Sequence, residues 1–121
     1  MLRTSLIAAI AVALTLGASA SARSDALRLK GTVGPGFTIS LTQNGHKVRT
    51  LKAGTYTIVV ADKASIHNFV LEKERGGKFE RSLTSVTFVG TKTTRVKLTA
   101  GKWKFYCAPH ESTMHGEFTV R

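Results

Sequence analysis

The stretch Tyr106-Cys107-Ala108-Pro109-His110-Glu111-Ser112-Thr113-Met114-His115-Gly116 decides how the rest of the chain is read. It holds the sole cysteine, two of the four histidines and the only methionine besides Met1. Thiolate, imidazole and thioether within one short loop suit a soft or borderline transition metal better than magnesium or calcium. Such a loop lacks one ligand, and His67 in Ser65-Ile66-His67-Asn68-Phe69 is the best candidate to supply it. The residues around both segments alternate in character. Trp103, Phe105 and Cys107 share one face of a strand pattern, with Lys102, Lys104 and Tyr106 on the other. His67, Phe69 and Leu71 share a face in the same way. Side chains in a strand point alternately to opposite sides, so His67 and Cys107 are both expected to face inward.

The set His67, Cys107, His110 and an axial Met114 is that of a blue-copper site. The two segments resemble the cupredoxins, the plastocyanin, pseudoazurin and amicyanin group, over roughly Leu27 to Arg121. The resemblance implies an all-β Greek-key sandwich or barrel of seven to eight strands, with one type 1 copper ion bound through the histidine Nδ1 atoms. It also implies that electrons cross near the edge of His110, and that Asn68 ties the two ligand loops together. The loop departs from the family in one respect. Three residues (Glu111, Ser112 and Thr113) separate His110 from Met114, where plastocyanin-like loops have four and amicyanin-like loops two. A backbone carbonyl is the alternative to Met114 as axial ligand. His115 and His46 are read as exposed, and Tyr106 as outward-facing, a candidate second electron route.

Period-two alternation continues along the chain. It marks Leu27 and Leu29, then Phe37, Ile39 and Leu41, then Tyr56, Ile58 and Val60. Val86 and Phe88, Val96 and Leu98, and Phe118 and Val120 follow it too. Gly34-Pro35-Gly36, Asn44-Gly45, Ala53-Gly54, Gly76-Gly77, Gly90 and Ala100-Gly101 punctuate these runs, and Asn-Gly is the strongest hairpin cue among them. Many short strands at such spacing give a sandwich or small barrel. Residues 72–82 carry no clear alternation and are expected to form a short helix or a long loop.

At 121 residues and 42% hydrophobic, the chain is bounded to one globular domain. Residues 1–22 read as an export signal. Arg3 leads an uncharged run from Leu6 to Leu16, and small-residue cleavage patterns end at Ala20 and Ala22. The domain is then residues 23–121, periplasmic or secreted. A lone thiol in an exported protein makes no internal disulfide, which favours metal binding. The formal net charge is +11, of which Arg3 leaves with the signal. That surplus points to an acidic redox partner and allows peripheral contact with a membrane surface. Nucleic acid is excluded by compartment, and a monomer is expected. No nucleophile–base set, phosphate loop or HExxH motif is present, so no enzyme is expected. An electron carrier is the first reading, an exported copper carrier or store the alternative, and a metal-free binding sandwich the third.

Overall fold

A computed structural model describes residues 9–12 and 27–121, so the expected export segment lies, apart from 9–12, outside the described residues. From residue 27 onward the chain is strand and turn, with one short 3-10 turn. Two five-stranded sheets face each other. The first contains β1 (Arg28–Val33), β2 (Ile39–Gln43), β3 (His46–Lys47), β5 (Gly54–Asp62) and β8 (Gly90–Leu98), in the order β3-β2-β1-β5-β8. The second contains β4 (Thr50–Leu51), β6 (Val70–Arg75), β7 (Phe79–Ser82), β9 (Gly101–Tyr106) and β10 (His115–Val120), in the order β4-β10-β9-β6-β7. Seven of the eight longer strands are those the alternation leads one to expect, β7 being the exception, while β3 and β4 are two-residue additions. Both sheets are mixed, because β1 runs parallel to β5 and β4 parallel to β10.

The core follows the period-two pattern. Leu29, Ile58, Val60, Val96 and Leu98 from the first sheet meet Leu71, Trp103, Phe105, Phe118 and Val120 from the second. Asn44 and Gly45 have φ of 51° and 78°, the left-handed pair a type I′ hairpin turn needs, and they join Gln43 to its partner His46.

Three expectations change. Residues 72–82 are neither helix nor loop. They lie largely in the β6–β7 hairpin, in which Leu71 pairs with Arg81 and Glu72 with Glu80 about the Gly76-Gly77 turn. Phe37 does not continue the inward face of Ile39 and Leu41. It precedes β2, is 59% exposed, and lies at the end of the sandwich. Val86 and Phe88 sit in the loop before β8, half-buried, and are not strand residues.

Candidate metal centre

Three loops meet at the end of the sandwich where β1 and β5 finish and β9 turns into β10. Cys107 follows β9 on the inward face already occupied by Trp103 and Phe105, and is fully buried. The chain then tightens into the 3-10 turn Ala108–His110, with Pro109 near its start. Proline suits that place because its φ is fixed and its missing N–H is not needed there. The turn is closed by its own backbone. His110 N–H donates to the Cys107 carbonyl at 3.1 Å, Met114 N–H to the His110 carbonyl at 2.8 Å, and Cys107 N–H to the Met114 carbonyl at 3.0 Å. Cys107 and His110 are thereby set on one side of a small closed ring.

His67 arrives from the loop between β5 and β6. Its N–H donates to the Ala64 carbonyl at 3.4 Å, and the Ala64 N–H donates to the buried Asp62 carboxylate at 3.3 Å. The next residue links the loops: Asn68 Oδ1 accepts the Ala108 N–H at 2.7 Å. His67 and Cys107 are fully buried and His110 is half-buried.

The donor atoms converge. His67 Nδ1 lies 3.1 Å from His110 Nδ1, and Cys107 Sγ lies 3.7 and 3.6 Å from the two nitrogens. A circle through three atoms at those separations has a radius of about 2 Å, the length of a bond from imidazole nitrogen to a first-row divalent ion. Two imidazoles and a thiolate turned onto one point, shielded from water, fit a single copper ion. His67, Cys107 and His110 are thus brought together as the sequence leads one to expect. Met114 is fully buried in the same core cluster as Cys107. His115 is exposed, and its Nδ1–H donates to the Glu111 carbonyl at 2.7 Å, so that ring is engaged away from the cluster. His46 is exposed on β3.

Two neighbours were not legible in the sequence. Phe37 packs edge-to-face on both ligand rings, with centroids 5.4 Å from His67 and 4.9 Å from His110. Gly34, at φ +72°, leaves room beside His67: a Cβ there would stand 3.2 Å from the ring's Cδ2. The adjacent Nε2 of His67 is buried with no hydrogen-bond partner among the described residues, so packing orients this ring. Tyr106 faces outward on β9, as expected, but is covered there. It is only 7% exposed, its hydroxyl donating to Glu80 at 2.5 Å and its ring covered by the Lys104 ammonium at 5.2 Å. Burial first, then the Glu80 acceptor, pushes the phenol well above its ordinary pKa.

Residues 32–121 match the family model of copper-binding proteins of the plastocyanin/azurin family. No curated protein matches the chain in sequence. Among solved structures, rusticyanin from Thiobacillus ferrooxidans is similar at 21% identity and a TM-score of 0.54, over 78% of this chain and 76% of that one. Reduced rusticyanin is similar at 17% identity and a TM-score of 0.55, over 78% of each chain. A rusticyanin variant structure reaches a TM-score of 0.57 at 18% identity, over 78% of this chain and 76% of that one. At such identities the likeness concerns the fold.

Proposed function

Because the chain belongs to the plastocyanin/azurin family of copper-binding proteins, we propose that it is an exported, monomeric, single-domain electron carrier and not an enzyme. Copper, when bound, supplies the one-electron Cu(I)/Cu(II) couple. The carrying observation is the convergence of Nδ1, Nδ1 and Sγ within a buried pocket. Met114 is proposed as the residue that would join His67, Cys107 and His110 in holding the ion; four protein donors would leave no open position for a substrate.

The chain's own residues do the rest. The Asn68 carbonyl and the Cys107–Met114 backbone bond hold the ligand loops in one geometry. A cage that stays put when charge changes keeps reorganisation small. Phe37 keeps water from the ring edges, and half-buried His110 is the one ligand with an edge toward solvent. Exposed Phe37, Ile66 and Val89 border that end, the place for close contact with a redox partner. Lys63 and Lys92, on the same end of the first sheet, support an acidic partner. Its association rate is expected to fall as ionic strength rises; a flat salt response would remove the acidic-partner part of the proposal.

The test is to load the protein with Cu(II) and record its visible spectrum beside that of Cys107→Ser. Zinc suits the same donors, so a colourless preparation is stripped and reloaded first. An intense thiolate-to-copper band, absent from the variant, is expected. Its absence from the loaded parent would overturn the site. Fast electron self-exchange would support the carrier of electrons, whereas slow exchange with ready release of copper to an acceptor would assign copper delivery or storage instead.

A further inference from the structure

The basic residues look dispersed in the sequence, but strand pairing gathers them. In the first sheet, alternate residues of β1, β5 and β8 face away from the core. The register sets Arg28 beside Thr57 and Thr57 beside Arg95. It also sets Lys30 beside Thr42, Thr42 beside Lys47, and Thr55 beside Lys97. Paired residues share a side of a sheet, so these five cations lie on one outward face. Between them stand threonines, Ser40 and Val59, and no carboxylate. The only acidic residue of this sheet is Asp62, which is buried. None of the five cations has an ion-pair partner among the described residues. A shallow depression of about 640 Å³ runs between Arg28, Lys30, Ser40, Thr42 and Asn44.

The second sheet carries both signs. Register places Glu117, Lys104, Glu72 and Glu80 in one row across its outward face. Lys102 is paired with Glu117 at 3.2 Å and Lys104 with Glu111 at 2.6 Å. Among the described residues, all five glutamates lie on this sheet or on the metal loop. The domain is therefore uniformly positive on one broad side and of mixed charge on the other.

We infer that the outward face of the first sheet is a peripheral docking surface for an anionic lipid bilayer. The charge is spread over a broad sheet surface, matching an extended plane of phosphates. No large apolar side chain is exposed on it, so contact is electrostatic and reversible by salt, without insertion. A redox partner must reach His110 at the end of the sandwich, whereas this face is on its flank. A molecule lying on its flank keeps that end free, so the two contacts do not compete.

The copper-loaded protein is co-sedimented with phosphatidylcholine vesicles with and without an equal part of phosphatidylglycerol, at about 0.1 M salt. Arg28→Gln/Lys30→Gln/Arg95→Gln/Lys97→Gln is compared with Lys52→Gln/Lys78→Gln/Arg81→Gln/Arg121→Gln, which removes the same charge from elsewhere. At roughly fivefold per cation held near an anionic surface, the face variant is expected to lose on the order of a hundredfold or more, and the control variant much less. An unaltered visible band certifies that each variant is folded. Equal losses in the two variants, or parent binding that does not depend on the anionic lipid, would overturn the proposal. So would a face variant that keeps its vesicle binding but loses binding to poly-glutamate, which would assign the face to an acidic polypeptide.

Discussion

Phe37 is the residue whose position says most about how the ligands are kept. Its ring touches both imidazoles edge-on while more than half of it faces solvent. A large exposed apolar side chain contributes little to folding, because most of its surface never leaves water. Its effect is local: it covers the ring edges through which water or a chelator would reach the copper. Phe37→Ala is therefore expected to lower stability by less than about 1 kcal/mol. Transfer of copper to an external chelator should become several-fold faster. Stopped-flow extraction and thermal unfolding measure the two quantities separately, and an unchanged extraction rate would show that the ring is not a cover. Asn68 acts on the ligand loops from within. Deleting its carbonyl by Asn68→Ala strands the Ala108 N–H, a loss of roughly 1–3 kcal/mol. It should also shift the visible band, since Ala108 adjoins the sulfur ligand.

At the scale of elements, the site rests on a pair of stacked rings. Phe69, two residues past His67 at the entry to β6, lies parallel to Phe105, two residues before Cys107 on β9, with centroids 5.7 Å apart and planes 6° apart. A glycine flanks each ring. A Cβ on Gly31 would fall 2.8 Å from Phe69, and one on Gly116 would fall 2.2 Å from Phe105. Neither ring can yield to a methyl group without pressing the other toward the opposite strand. Gly116→Ala is expected to cost about 1–3 kcal/mol or more by overpacking, read from the urea midpoint, and to move the copper band. Gly36→Ala, where nothing lies within 4 Å, should change neither. The alternation of Phe69 with His67 and of Phe105 with Cys107 made this much legible in advance, because period two needs no knowledge of strand partners. Residues 72–82 were opaque for the converse reason. Glu72, Glu74, Arg75, Lys78, Glu80 and Arg81 swamp the apolar alternation, and Gly76-Gly77 reads as loop even though it turns a hairpin. Phe37 was misread because an irregular segment breaks the count before β2. The one-sided charge of the first sheet depends on which strands pair, and that is written nowhere in a single run of residues.

For the molecule as a whole, copper is a cross-link between distant parts of the chain. His67 and Cys107 are 40 residues apart in sequence, and β6, β7, β8 and β9 intervene. The unfolded chain cannot hold that donor set together, so an ion that needs both binds the native state almost alone. By mass action, a ligand at a hundred times its dissociation constant stabilises by about 2.7 kcal/mol. A domain of this size shifts its midpoint by roughly 4–8 °C per kcal/mol. Chelating the metal is therefore expected to lower Tm by about 10 °C or more while leaving the strand signature of the folded protein intact. The sandwich has its own core of buried side chains from both sheets, and is expected to fold without the ion. His67→Ala supplies the control. It leaves Cys107, His110 and Met114 within one loop, so any ion they retain spans only that loop and clips little together. Copper-loaded and metal-stripped forms of this variant should melt within about 2–3 °C of each other. If the variant kept the parent's full difference in Tm, the stabilising ion would be held by the loop of residues 107–114 alone, and the mid-chain histidine would not be a ligand.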